Sequence, residues 1–149
     1  MIAVIQRVTA ASISIEGKIN GKCSHGLMIL LGVSKEDNER DAELLSAKIS
    51  KLRIFCDENG KMNLSVKDID GEALIVSQFT LLANYKKGNR PDYFAAGDPA
   101  HAKCLYEYFV DLMRKEIRSV ETGIFGADMQ VSILNDGPVT IVMDSNQLK

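Results

Sequence analysis

An almost entirely apolar run from Gly26 to Val33 limits the folds open to this chain more than any other segment. Its short length and its glycines favour a β-strand over a helix, and the lack of polar alternation favours burial on both faces. A sheet that contains such a strand must be covered by other elements on both sides. The rest of the chain therefore has to supply further strands and at least one layer of helices.

Two segments have the spacing of helices. The apolar residues Ala42, Leu45 and Ile49 predict a helix over residues 37–52, with Asp37 or Asn38 as its N-cap. Asp98 and Pro99 begin a second helix, because Asp caps helices well and Pro is favoured at the first helical position. We expect the buried stripe of this second helix to consist of Leu105, Phe109, Leu112 and Met113.

The remaining apolar segments predict strands. Their approximate bounds are 1–16, 52–55, 72–82, 120–124, 129–134 and 139–143, with residues 17–21 turning after the first of them. Strands interspersed with two helices indicate the α/β class with much antiparallel pairing. We expect a single compact domain over residues 1–149, with largely antiparallel or mixed β layers.

Composition excludes several classes of function. The net charge is −2 and the isoelectric point is about 5.7, so the basic surplus of proteins that coat nucleic acid is absent, and any contact with nucleic acid must be local. No apolar run approaches the roughly 20 residues of a membrane span, and the N-terminus does not resemble a signal peptide. Cys23, Cys56 and Cys104 are odd in number and widely spaced, as expected for reduced thiols in a cytoplasmic protein.

The sequence offers little of the usual chemistry of active sites. It has no phosphate-binding loop, zinc-protease motif or nucleophile elbow, and Cys23 with His25 lacks the further ligands that a zinc site requires. His25 lies at the start of a strand, and His101 lies in the first turn of the second helix, where we expect it at the surface. If the chain is an enzyme, it must use backbone groups, hydroxyls and shape.

Ser77-Gln78-Phe79-Thr80-Leu81 begins where an apolar strand becomes polar. At the end of a strand the sheet ladder stops, and free N–H groups are left that are able to stabilise a developing oxyanion. Taken alone, the same five residues favour the simpler interpretation of a strand that has one polar face.

Asn135-Asp136-Gly137-Pro138-Val139-Thr140 separates the last two predicted strands. Asn, Asp and Gly favour turns, so an ordinary hairpin is the simplest interpretation. A Gly-Pro bond also adopts the cis form in about 5–6% of cases in folded proteins.

Together, these two motifs resemble the motif pair of the D-aminoacyl-tRNA deacylases. The segments 1–8, 88–93 and 123–129 are similar to the same family, so the resemblance covers the whole chain. Tyr93 stands where the family pattern has Phe. The resemblance implies a three-layer β/β/α fold and hydrolysis of the ester between a D-amino acid, or glycine, and the terminal adenosine of tRNA. It also implies a homodimer. No motif in the sequence suggests a cofactor or a metal.

The resemblance also implies roles for individual residues. In each subunit Gly137-Pro138 would be cis, would enter the partner's pocket and would bind the substrate's amino group through carbonyl oxygens. Four residues would line the pocket, Ser77, Gln78, Phe79 and Thr80, with the N–H groups of the last two facing the reacting carbonyl. Phe125 and Met129 would border the adenosine, Asn135 would belong to the substrate-binding set, and Arg7 would help to fix the dimer around the Gly-Pro loops.

Several alternatives remain open at this level. Thr80 is the obvious side-chain nucleophile, but nothing in the sequence would deprotonate it. Lys86, Lys87 and Arg90 are either a solvated loop or contacts to tRNA phosphates. The same sequence also fits a non-catalytic module that binds RNA ends or proteins, or a hydrolase for another ester or amide. No DNA or membrane partner is expected.

Overall fold

The computed structural model describes all 149 residues. The two α-helices are α1 (Glu39–Ser50) and α2 (Pro99–Glu116), and short 3₁₀ helices cover Phe79–Leu82 and Ser145–Gln147. The strands are β1 (Ile2–Ile15), β2 (Lys18–Cys23), β3 (Gly26–Gly32), β4 (Phe55–Cys56), β5 (Met62–Leu64), β6 (Glu72–Ser77), β7 (Ser119–Thr122) and β8 (Gln130–Asp144).

The large sheet is mixed, which confirms the predicted α/β class. Its strands follow the order β2-β1-β3-β6-β7, and β8 pairs along β1. β1 pairs antiparallel with β2, β3 and β8, whereas β3–β6 and β6–β7 are parallel pairs. β4 and β5 form a separate two-stranded sheet. The long first strand is therefore the element to which most of the sheet is attached.

The two ends of the large sheet approach each other, so the sheet nearly closes into a barrel. The Asn20 side-chain amide on β2 donates to the Thr122 carbonyl on β7 at 3.2 Å. The Lys22 backbone N–H donates to the Glu121 carboxylate at 2.7 Å. A Cβ at Gly21 would lie only 2.6 Å from the Thr122 carbonyl oxygen, so glycine is needed at this close approach.

β3 is buried on both faces, as its apolar sequence predicted. Leu27, Ile29 and Leu31 belong to the main core, which lies between the sheet and the two helices. Met28 points to the opposite side, into a smaller core that fills the near-barrel. The buried side chains of β6 alternate between the two cores in the same way. Those of β1 lie in the main core in its first half, with Ala3 and Ile5, and in the smaller core in its second half.

The predicted helices and their N-caps are confirmed. Asn38 caps α1: its side chain accepts from the Arg40 N–H, and the Asp41 carboxylate accepts from the Asn38 N–H at 3.0 Å each. Asp98 caps α2, and its carboxylate accepts from the N–H groups of the second and third helical residues at 3.1 Å. Neither helix is long and apolar enough to cross a membrane.

Two predicted elements are wrong in form. Residues 129–134 and 139–143 do not form a hairpin with each other, because both halves of β8 pair with β1. The register passes from Gln6↔Thr140 to Val8↔Asn135, so the residues between Asn135 and Thr140 bulge out of one long strand. The strand predicted over 72–82 ends at Ser77, and a 3₁₀ helix follows it.

Candidate active site

The end of β6 leaves backbone donors without a partner in their own helix. The Gln78 N–H still extends the parallel ladder, since it donates to the Leu31 carbonyl at 2.8 Å. Phe79 and Thr80 then open the 3₁₀ helix. The first N–H groups of a helix have no intrahelical acceptor, so these two donors are available to a bound group.

A cavity of about 530 Å³ lies at this strand end. Ser77, Gln78 and Phe79 line one side of it, and Phe125 and Met129 line another. The start of α2 contributes a third side through Gly97, Pro99 and Ala102. Five of the residues expected at the site therefore lie around one cavity, although the two segments that supply them are more than 40 positions apart in the sequence.

Thr80 does not line this cavity. The Gln78 side-chain amide donates to the Thr80 hydroxyl oxygen at 2.5 Å, which ties the two side chains together. Neither histidine lines the cavity. His25 packs edge-on against Phe55, with ring centroids 5.3 Å apart, and lies at the opposite end of β3 from the cavity.

His101 is half-buried rather than exposed as expected, and its Nε2 atom is buried without a hydrogen-bond partner. The imidazole ring packs closely against Gly97, where a Cβ would lie only 3.1 Å from its Cδ2 atom. The lack of a side chain at Gly97 therefore leaves room for the ring. His101 does not line the cavity.

Gly137 and Pro138 lie outside the cavity of their own chain. Both are exposed, in the bulge of β8, and the peptide bond between them is cis, as the resemblance implied. They do not line the cavity in which Ser77 and Phe125 lie. The structure of one chain thus separates the two motifs that the sequence analysis considered together.

Two side chains hold the bulge. The Arg7 Nε donates to the Asp136 carbonyl at 3.0 Å and lies 3.1 Å from the Asp136 carboxylate, while Nη1 donates to the Ile54 carbonyl at 2.7 Å. The Asn135 side-chain amide donates to the carbonyls of Arg7 and Val139 at 2.9 and 3.2 Å. Only 11% of the Arg7 side chain is exposed, so its position is well defined by packing as well.

Tyr106 is a neighbour of the site that the sequence analysis did not identify. Its ring packs on Phe125 with centroids 5.9 Å apart, and its hydroxyl donates to the Ile75 carbonyl on β6 at 2.8 Å. Burial raises the pKa of Tyr106 to about 12. The hydroxyl is therefore a structural donor rather than an acid. In the sequence, Tyr106 is recognisable only as an aromatic residue next to Leu105 of the predicted buried stripe, and this position indicates a role in the core.

The site has no cluster of metal-binding side chains. No group of three or more His, Cys, Asp or Glu side chains is arranged to hold an ion. What the site does offer is two free backbone N–H groups, a neutral Gln–Thr pair, an aromatic wall and one carboxylate, that of Asp128. Such an arrangement is suited to positioning an activated carbonyl compound and stabilising negative charge on its oxygen.

A family model described as D-Tyr-tRNA(Tyr) deacylase matches residues 4–144. The D-aminoacyl-tRNA deacylase of Sulfurihydrogenibium sp. (strain YO3AOP1) is 57% identical over 148 residues, which cover 99% of this chain and 100% of that protein. The D-aminoacyl-tRNA deacylase of Thermosipho africanus (strain TCF52B) is 56% identical over 148 residues, which cover 99% of each protein.

Two solved structures share the fold. One, titled c-Myc DNA Unwinding Element Binding Protein, is 44% identical, with a TM-score of 0.92 over 97% of this chain and 98% of that chain. The other, titled as a probable eukaryotic D-amino acid tRNA deacylase, has a TM-score of 0.81 over 95% of this chain and 97% of that chain. It is only 15% identical and therefore shows the fold alone.

Proposed function

The chain belongs to the D-Tyr-tRNA(Tyr) deacylase family, and we propose that it hydrolyses the ester bond of D-aminoacyl-tRNA to free D-amino acid and tRNA. The observation that carries this proposal to the chemistry is the pair of free N–H groups, from Phe79 and Thr80, beside the cavity at the end of β6. Because aminoacyl-tRNA is made and used in translation, the cytoplasm is the compartment we propose.

The reacting carbonyl lies against the two N–H groups in this proposal. As water attacks the ester carbon, negative charge develops on the carbonyl oxygen, and the N–H groups of Phe79 and Thr80 stabilise it. Phe125 and Met129 border the terminal adenosine. An aminoacyl ester is already activated, so positioning and oxyanion stabilisation suffice without a histidine base.

The Thr80 side chain holds Gln78, which lines the cavity, and does not act as a nucleophile. Its hydroxyl accepts a hydrogen bond from the neutral Gln78 amide, and an amide is not a base that removes a proton. The vicinal 2′-hydroxyl of the terminal ribose is the other group near the ester, and its involvement makes the reaction depend on RNA rather than DNA.

A second copy of the chain completes the site. Gly137 and Pro138 are exposed and do not line the cavity of their own chain. Apolar residues of β8 are exposed on both sides of them, Leu134 by 63% and Val142 by 66%. Exposed apolar residues grouped in this way mark interaction surfaces. We therefore propose a homodimer in which the Gly137-Pro138 segment of each subunit enters the cavity of the other.

The inserted segment discriminates by exclusion. Its carbonyl oxygens bind the substrate's amino group, and the rigid backbone leaves no room for an L side chain, whereas a D side chain points to solvent. A thousandfold discrimination requires about 4 kcal/mol, and a steric clash is able to supply it. Glycine has no Cβ, so this filter does not reject glycyl-tRNA.

The test is the release of amino acid from tRNA charged with D-tyrosine, L-tyrosine or glycine. We expect rapid loss of D-tyrosine and glycine with retention of L-tyrosine, from a protein that sediments as a dimer. Replacing Pro138→Ala removes the ring that fixes the backbone and should lower the ratio of D to L hydrolysis. Equal loss of D- and L-tyrosine from the unaltered protein would contradict the filter, and an active monomer would contradict the shared site.

Two alternatives give different results in the same assay. A non-catalytic module that binds RNA ends would retain charged tRNA without releasing any amino acid. A hydrolase for other esters or amides would not need the ribose, and would act on substrates without a nucleoside.

The solved relative titled as a DNA-unwinding-element binding protein raises DNA binding as a second function. The net charge of −2 argues against extended contact with duplex DNA. DNA binding at this site would be measured as inhibition of tRNA hydrolysis by unlabelled duplex DNA, and we expect no inhibition.

A further inference from the structure

Residues 84–97, named here the basic loop, form a closed and charged projection. The backbone N–H of Asn84 donates to the Asp92 carbonyl at 2.8 Å, and that of Asp92 donates to the Asn84 carbonyl at 2.9 Å. The Asn84 side-chain amide also donates to the Asp92 carboxylate at 3.0 Å. The only acidic side chain of the loop is thus used to close its base.

Three cations project from the closed loop without an ionic partner. Lys86, Lys87 and Arg90 are exposed, and none of them forms an ion pair with another residue of the chain. Three free positive charges on five consecutive residues contrast with the net charge of −2 of the whole chain. The partner that complements such a group is a run of negative charges, as in a nucleic-acid backbone.

Aromatic rings accompany the cations. The Tyr85 side chain is 76% exposed and the Phe94 side chain 83% exposed, so neither contributes much to the core. Exposed aromatic rings interleaved with cations are typical of surfaces that bind single strands, because every base is able to stack on an aromatic face.

The basic loop lies at the mouth of the cavity. The Tyr93 ring packs edge-on against the Phe79 ring, with centroids 5.1 Å apart, and Phe79 and Gly97 both line the cavity. Arg90 is three residues before Tyr93, so the two lie within roughly 10 Å of each other along the chain. Phosphates of nucleotides next to the one in the cavity lie within reach of such a loop.

We propose that the basic loop binds the single-stranded 3′ tail of tRNA directly upstream of the terminal adenosine. Lys86, Lys87 and Arg90 contact its phosphates, and Tyr85 and Phe94 stack on its bases. The contact is independent of the amino acid and of its chirality, so it determines which RNA is held rather than which ester is cleaved. The proposal rests on the proposed function, since it assigns the terminal adenosine to the cavity.

The test compares a charge-free loop, Lys86→Gln/Lys87→Gln/Arg90→Gln, on two substrates. One is D-tyrosyl-tRNA, and the other is D-tyrosyl-adenosine, which has the ester but no upstream phosphates. We expect kcat/KM to fall on the tRNA substrate only. On that substrate the slope of log(kcat/KM) against log[salt] should become shallower by about 2, because each phosphate contact in a single strand contributes about 0.7. Between about 50 and about 200 mM salt, this slope corresponds to a roughly 20-fold change in the ratio of wild type to variant.

A matched control removes the same charge elsewhere. Lys18, Lys48 and Lys51 are exposed, are outside ion pairs and do not line the cavity. Their triple replacement by Gln should leave the salt slope unchanged. A second variant, Tyr85→Ala/Phe94→Ala, should lower kcat/KM on the tRNA substrate by at least fivefold while keeping the slope, because stacking carries no charge.

Three results would overturn the proposal. The first is a control that changes the slope as much as the loop variant does, since the effect is then one of overall charge. The second is an equal loss of activity on both substrates, since the loop then only shapes the cavity. The third is dissociation of the dimer by the loop variant in sedimentation. A wild type that cleaves neither substrate overturns the proposed function itself, and is thereby distinguished from a failure of the loop contact.

Discussion

Replacing Gly137→Ala tests whether the Gly137-Pro138 segment is held in place by Asn135. A Cβ on residue 137 would lie 2.9 Å from the Asn135 Oδ1 atom, closer than two such atoms approach in folded proteins. The next contacts are ordinary, at 3.6 Å to Asn135 Cγ and 3.7 Å to the Val139 nitrogen. The Asn135 side chain must therefore move, and it is the group that gives way.

The cost follows from the bonds that Asn135 makes. Its amide donates to the Arg7 and Val139 carbonyls, and neutral hydrogen bonds contribute about 0.5–1.5 kcal/mol each. Because Asn135 is exposed, hydrogen bonds to water compensate for part of the loss, and the ordered segment is destabilised by about 1–2 kcal/mol. Since about 1.4 kcal/mol corresponds to a factor of ten, the ratio of ordered to disordered segment falls by roughly 5- to 30-fold.

The assay is kcat/KM for D-tyrosyl-tRNA in a cycle of Gly137→Ala, Asn135→Ala and the double variant. We expect each single variant to lose up to about 30-fold, and we expect the double variant to lose no more than Asn135→Ala alone, because the obstructing atom is then absent. Losses that multiply would refute the reasoning, since they would show that the new methyl group acts on the substrate or the partner chain. Urea unfolding of the same proteins should change by no more than about 1–2 kcal/mol.

Three further predictions concern groups that hold the site and the fold. Arg7→Met removes the charged Nε donor that holds Asp136, and such a hydrogen bond is worth about 1.5–3 kcal/mol. The change should lower the ratio of D- to L-tyrosyl-tRNA hydrolysis while the dimer persists. Tyr106→Phe removes the hydrogen bond to the carbonyl of buried Ile75 and should cost about 0.5–1.5 kcal/mol in urea unfolding, with hydrolysis nearly unchanged because the ring is retained. Burial alone would raise the pKa of Asp41, but hydrogen bonds led by that from Lys149 lower it to about 2. This carboxylate therefore stabilises the fold above its unfolded pKa, which is near 4. After allowance for solvent screening of Lys149, we expect the free energy of unfolding to fall by about 1–2 kcal/mol between about pH 5 and pH 2. The variant Asp41→Asn should lack this contribution to the pH dependence.

The elements that the sequence predicted well are those with local signals. Asn38 and Asp98 cap their helices through bonds to residues two or three positions away, so their effect is visible in a short window of sequence. The run from Gly26 to Val33 is apolar because both of its faces are covered, and the two cores that cover it confirm this interpretation.

The hairpin over residues 129–143 was wrong for a physical reason. Turn-forming residues favour a reversal of the chain, but they also suit a bulge, in which the strand continues. What decides between the two is the partner of each flanking strand. Both halves of β8 pair with the same long strand, β1, and such long-range pairing leaves no trace in the local pattern.

The site shows the same division between local and long-range signals. Ser77 to Thr80 were identifiable because the sequence changes there from apolar to polar, and the chain does leave the sheet at this point. Phe125 and Met129 were identified through the family resemblance alone, since their pattern also fits a core. Tyr106 was missed, because only the packing of α2 against β6 shows that its ring lies behind Phe125.

The exposed position of Gly137 and Pro138 explains why the cavity contains so little reactive chemistry. One chain supplies a cavity with two free N–H groups, and the same chain presents a well-held backbone segment that does not reach that cavity. The only ionisable side chain that lines the cavity is Asp128, on the segment that also supplies Phe125 and Met129, so the two N–H groups and the Gly137-Pro138 segment act through where their backbone atoms lie. If the segment enters a neighbouring cavity, as proposed, the amino-acid part of the substrate lies between backbone groups of the two chains. The activity of such a site depends on residues that fix the position of the backbone, such as Arg7. Because a D side chain points to solvent in this arrangement, the site does not distinguish one D-amino acid from another.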